Sequence, residues 1–174
     1  MTYIGVAKAK ILTRNEKVIT TSCGFTFYWQ DYFNNLTKSD VITSSLCCLD
    51  NNRKIYKDNE ILIFTFDEEI LKSLLVSKLK TPFKGHILGL RKYNLLYKII
   101  SNNEKNFEFE QICYELKQLL WETIKNLKIK LIILECTNLS PYKNIFRTIF
   151  SGEIIDLLVL IEKKIPGTIK KELL

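Results

Sequence analysis

Short runs of β-branched and aliphatic residues alternate along the chain with segments whose apolar residues recur every three or four positions. This is the pattern of β-α-β units around a parallel sheet. The spacing predicts a helix end up to about Ile11, a strand over Lys17–Thr21, a helix within Thr26–Leu36 and a strand near Val41–Thr43. A polar stretch from Asp50 to Asn59 then breaks the pattern and marks the domain boundary. Beyond it, Ile61 to Thr65 reads as a buried strand. Asp67, Glu68 and Glu69 open a helix that carries Leu71, Leu74, Leu75 and Leu79 at helical spacing. Acidic residues in a first turn suit the positive end of the helix dipole.

A short strand around His86–Leu90 follows, then a long amphipathic segment from Phe107 to Leu127. Its stripe of Phe109, Ile112, Cys113, Leu116, Leu119, Leu120 and Ile124 places Cys113 in the core. The run Leu131 to Leu134 is the most apolar strand, so helices should cover both its faces. A helix is expected from Ser140 and Pro141, and a last strand and helix over Glu153 to Leu160, ended by Pro166 and Gly167.

Composition narrows the class. The 174 residues are 47% hydrophobic and 26% charged, the balance of a globular protein. The apolar run Ile154 to Ile161 is far too short for a membrane span and contains Asp156. No basic stretch followed by an apolar one comes after Met1, so the expectation is a cytoplasmic protein without a membrane partner. The net charge of +7 comes from 22 scattered lysines and only four arginines. Without dense basic runs or arginine clusters, no nucleic-acid partner is expected. A single histidine, His86, and the absence of a CxxC pair give no metal site. Five cysteines, at 23, 47, 48, 113 and 136, form no disulfide framework and are expected as reduced thiols.

Two of those cysteines stand in similar places. Lys17 to Cys23 and Lys130 to Cys136 each run from a basic residue through a β stretch and a polar residue to a cysteine. Each thiol is thereby set just past the carboxyl end of a parallel strand, the edge at which open α/β sheets bind ligands. Two thiols facing each other across a cleft suit proton exchange at a carbon beside a carboxylate, since one thiolate removes the proton and the opposite thiol returns another to the other face. Backbone N–H groups at a following helix start would lower a thiol pKa and hold a substrate carboxylate. The same pattern also suits cysteines that merely end strands.

The string Thr20 to Phe25, followed by Gln30 and Val41 to Leu46, resembles the first-cysteine block of the aspartate/glutamate/hydantoin racemase superfamily. The string Leu134 to Tyr142 resembles its second-cysteine block, and Ile63 to Asp67 the strand and turn that open its second domain. The resemblance runs from about Gly5 to Ile165 and implies an α/β fold of two similar parallel-sheet domains with the active site in the cleft between them. On this chain the parts would be residues 1–58, 59–156 and a C-terminal helix and tail, 157–174. The implied reaction is amino-acid racemisation without pyridoxal phosphate or any other cofactor, by acid/base transfer between Cys23 and Cys136. Thr137 and Asn138 carry over as carboxylate-binding neighbours, with Thr21, Ser22, Gly24, Ser44 and Thr65 as further pocket residues. Turn and cap bonds explain the same polar residue types equally well. Cys47 and Cys48 have no counterpart role.

Members of that superfamily carry additional elements ahead of the first cysteine block, whereas about sixteen residues precede Lys17 here. The first domain is therefore expected to be incomplete, the activity impaired, and the chain prone to form a homo-oligomer through its N-terminal region. Two other readings compete with a racemase: a decarboxylase or cis-trans isomerase of small carboxylic acids, and a non-enzymatic binding or oligomerisation module.

Overall fold

The computed structural model of the protein describes residues 18–104 and 107–174. The helix end expected up to Ile11, and Lys17 at the head of the expected first strand, lie outside the described residues. The described chain forms two parallel sheets. The smaller pairs β1 (Val18–Thr20) with β2 (Asp40–Ile42). The larger is centred on β3 (Ile61–Thr65) and β5 (Leu131–Leu134), with β4 (His86–Gly89) beside β3 and β6 (Glu153–Ile155) beside β5.

Every residue of β3 and β5 is buried, as their unbroken apolar runs require of strands covered on both faces. Alternation then divides them. Leu62, Phe64, Ile132 and Leu134 face one side and pack on α4 (Leu95–Asn102) and α5 (Phe109–Ile124) through Leu96, Ile112, Leu116 and Leu120. Ile61, Ile63, Leu131 and Ile133 face the other side and pack on α3 (Glu68–Lys78) through Leu71, Leu74 and Leu75. Helix α3 begins where Asp67 accepts hydrogen bonds from the amides of Glu69 and Ile70 at 3.0 Å.

The face shared with α3 also receives residues from the small sheet's side of the chain. Leu46 and Leu49, at the start of α2 (Leu49–Asn52), are sealed into the same core as Ile63 and Ile133. Burying each contributes about 1.5–3 kcal/mol. Two ion pairs cross the junction: Lys78 of α3 meets Asp31 of α1 (Gln30–Leu36) at 3.0 Å, and Lys164 of α7 (Leu157–Lys164) meets Asp40 of β2 at 2.9 Å. Beside β6, Asp156 caps α7 by accepting from Val159 N–H and forms a fully enclosed pair with Lys143 of α6 (Lys143–Arg147) at 2.8 Å.

Two local features differ from the sequence pattern. Helix α4 was not expected, and the helix expected to begin at Ser140 and Pro141 starts earlier, as a 3-10 helix over Thr137–Tyr142 that runs into α6. The reason is that the carbonyl of Cys136 already accepts from Leu139 N–H at 3.0 Å. No helix among the described residues is long and apolar enough to cross a membrane.

Candidate active site

Cys23 follows β1 by three residues and Cys136 follows β5 by two, and both begin the same local structure. Each is extended, each precedes a six-residue 3-10 helix (Gly24–Trp29 and Thr137–Tyr142), and each of those helices leads directly into an α-helix. The carbonyl of Cys23 accepts from Thr26 N–H at 3.0 Å just as that of Cys136 accepts from Leu139. The two strand-cysteine-helix units are thus repeats in structure as well as in sequence.

They also touch. The hydroxyl of Thr137 donates to the carbonyl of Ser22 at 2.6 Å, tying the residue after the second cysteine to the residue before the first. Ser45 donates to the carbonyl of Leu134, the last residue of β5, at 2.8 Å. Gly24 lies so close to Glu135 that a Cβ placed on it would stand 2.1 Å from the carboxylate Oε1 and 2.2 Å from the backbone oxygen. Only a residue without a side chain fits this approach. Two of these contacts bring the loops of Cys23 and Cys136 against one another at the carboxyl ends of β1 and β5, and the third ties the segment after β2 to the end of β5.

The two thiols differ in surroundings. Cys23 is exposed, whereas Cys136 is 9% exposed and belongs to the core beside α5. Burial pushes the Cys136 thiol up to about 11. The N–H and side chain of Asn138 oppose that rise, while negative charge on Glu135 and on Cys23 adds to it. Charge on Cys23 is thus felt at Cys136.

The other expected site residues surround this joint, and most have internal bonds. Thr21 donates to the carbonyl of Thr43 at 2.7 Å, Ser44 accepts from Leu46 N–H as a helix cap, and Thr65 donates to Glu135 at 2.6 Å. Ser22 and Asn138 are exposed, and Gly24 is buried against Glu135. Burial raises the pKa of the remaining cysteines, taking Cys48 to about 12. Cys48 and Cys113 are buried in the two cores, and Cys47 donates to Gln30 at 3.0 Å.

Two residues outside the expected set organise the site. The side chain of Gln30 accepts from the amide and hydroxyl of Thr43, at 2.9 and 2.6 Å, and donates to the carbonyl of Val41 at 2.7 Å. It thereby closes the end of β2. Glu135 is 2% exposed, with one oxygen held by Thr65 and the other, Oε1, buried without a hydrogen-bond partner among the described residues. Its only sequence signal is a charged residue at the end of the most apolar strand. A depression of about 450 Å³ lies nearby, lined by Phe27, Gln30, Cys47, Lys78 and neighbours, but it includes neither Cys23 nor Cys136.

No family model matches the chain, and no curated protein matches it. Among solved structures, the fold is similar to that of glutamate racemase from Francisella tularensis subsp. tularensis SCHU S4, determined in complex with D-glutamate. The two share 16% sequence identity and a TM-score of 0.50, over 96% of this chain and 66% of the racemase chain. The protein therefore has a glutamate-racemase-like α/β fold, and it spans about two thirds of the length of that enzyme.

Proposed function

We propose that the protein is a cofactor-independent racemase of the aspartate/glutamate/hydantoin type, in which Cys23 and Cys136 exchange protons at the Cα of a small amino acid or related carboxylic acid. The observation that carries this reading is the bond from Thr137 to the Ser22 carbonyl, because it draws together two loops that each hold a cysteine at the carboxyl end of a parallel strand. The similarity to a racemase solved with D-glutamate supports the same substrate class. One thiolate removes the proton, the electron pair stays on Cα, and the opposite thiol protonates the other face. Thr137 and Asn138 hold the substrate carboxylate, with Thr21, Ser22, Gly24, Ser44 and Thr65 shaping the pocket and no cofactor taking part.

The test is deuterium wash-in from D₂O. Racemisation of an amino acid from the aspartate, glutamate and hydantoin panel, with label entering at Cα, is the expected result. Cys23→Ser and Cys136→Ser should each abolish racemisation, since inversion needs a group on each face. Each variant should retain one-sided exchange with a different enantiomer. Full activity in either variant would end the two-thiol assignment.

One observation favours a non-catalytic binding module instead: the hydroxyls of Thr21, Thr65 and Thr137 are all engaged in internal bonds. Ligand binding with no label at Cα in any substrate of the panel would select that alternative. Light scattering on the same preparation tests whether the working form is a homo-oligomer.

A further inference from the structure

Helix α5 buries Ile112, Leu116, Leu120 and Ile124 in the core, and its other faces stay outside. Lys117 and Trp121 are four positions apart, so they stand one turn from each other on the same side of the helix. The segment that links α6 to β6 faces this side, and between the two lies a cavity of about 600 Å³, within the range of small-molecule sites. Lys117, Gln118 and Trp121 line it from α5, and Arg147, Phe150 and Ser151 line it from the facing segment. Ser151 precedes β6, and Trp121 is near the end of α5 that leads into β5. The cavity therefore lies by the amino ends of these strands, whereas Cys23 and Cys136 stand past carboxyl ends.

The lining is one-sided in charge. Lys117 and Arg147 are both cations, and no aspartate or glutamate contributes to the walls. Lys117 is half-buried, and its side chain makes no ion pair or hydrogen bond among the described residues. Asn144, at 3.2 Å, and the main-chain oxygen of Leu174 fix the Arg147 guanidinium in place, which leaves further N–H groups for an anion. The depression beside Gln30 differs, because Asp31 there already pairs with Lys78. Two cations around one concavity without a facing carboxylate favour a bound negative charge. Trp121 supplies the other half of the chemistry. Its side chain is 46% exposed, so a large flat ring is left open beside the cations as a stacking surface.

We propose that this cavity is a second ligand site, separate from the cysteine loops, for a small aromatic anion: a flat ring stacks on Trp121 while its carboxylate or phosphate is held by Lys117 and Arg147. The site does not depend on the racemase reading. Trp29→Phe leaves Trp121 as the chain's single tryptophan, so its emission reports on the cavity. Adenosine monophosphate and benzoate are the probes, and the better of them should quench that emission saturably with a Kd of about 1 mM or below. Inorganic phosphate, adenosine and benzamide each lack either the ring or the charge and should bind at least about tenfold more weakly. A tighter nucleotide assigns the anion to phosphate esters and a tighter benzoate to aryl carboxylates, and either result supports the site. Lys117→Gln and Arg147→Gln should each weaken the better probe roughly tenfold while helical signal stays unchanged. Absence of saturable quenching up to about 10 mM overturns the proposal. So does phosphate alone or an uncharged ring binding as tightly as the better probe, or an unaltered affinity in the folded variants. If Arg147→Gln loses its fold with the Leu174 contact, Lys117→Gln and the unsubstituted cavity's ranking of the probes decide alone.

Discussion

The hydroxyl of Thr137 meets the carbonyl of Ser22 at 2.6 Å across 115 positions of sequence, and through that bond the loop of one cysteine rests on the loop of the other. Replacing Thr137 with valine keeps the shape and removes the donor. A stability loss of about 0.5–1.5 kcal/mol is expected from urea denaturation. Because the loop of Cys23 is then less firmly seated, Cys136 should also be alkylated several-fold faster than in the wild type, a change that mass spectrometry of the labelled peptides would register.

Gly24 admits no side chain. The Cβ of alanine would overlap both the carboxylate and the main-chain oxygen of Glu135, and the main-chain atom cannot swing aside. Gly24→Ala is therefore expected to destabilise the protein by at least about 1–3 kcal/mol. Early proteolytic cleavage should fall between residues 20 and 45, where the small sheet has lost its seat. Unchanged stability would mean that the two loops are farther apart than described.

Burial pushes the Glu135 carboxyl up to about 7, from an ordinary value of 4.5. Below about pH 4.5 the group is protonated whether the chain is folded or not. Between about 4.5 and 7 the unfolded chain releases its proton while the folded one keeps it, so stability falls as pH rises through this window and levels off above it. The loss over these two and a half units is on the order of 3–4 kcal/mol at about 1.4 kcal/mol per unit. Unfolding free energies of wild type and Glu135→Gln, taken at intervals from pH 5 to 8, should diverge by a pH-dependent amount of that order. Parallel curves would contradict the raised carboxyl.

Lys143 and Asp156 form a pair from which water is excluded, with the two side chains 3% and 0% exposed. Lys143→Met leaves the aspartate charge uncompensated and should destabilise the protein by about 3–5 kcal/mol. Combining it with Asp156→Asn, which retains a capping oxygen for α7, should recover a substantial part of that loss. A double variant no more stable than the single one would place the cost in packing rather than charge.

The larger sheet was legible because its strands are unbroken apolar runs and its α3 and α5 helices carry regular stripes. Leu62 and Ile63 fall on opposite faces as a two-residue period requires, and Cys113 is in the core as its stripe indicated. Helix α4 was less visible because its first turn is satisfied by a distant residue: Glu115 of α5 accepts from Leu95 N–H at 2.7 Å, a bond no local pattern can announce. The placement of the cysteines after β1 and β5 followed from the strand pattern. The burial of Glu135 did not, since a glutamate at a strand end reads as a surface residue until Thr65 and Gly24 arrive from other parts of the chain. For Thr21, Ser44 and Thr65, residue type alone could not separate pocket lining from internal bonding, and the structure shows each making an internal bond.

The bonds that join the two sheets, Ser45 to Leu134 and Thr137 to Ser22, close loops of 89 and 115 residues. Contacts so remote along the chain form only after large parts of the polymer have been brought to order, and topologies rich in them fold slowly. The local hairpin-free units, such as β3 with α3, can gather early, whereas the joint that carries both cysteines must wait for strands from opposite ends of the chain. During refolding the two cysteine loops would therefore remain apart until the final ordering event, and protection of the Cys136 thiol should lag behind recovery of helical signal.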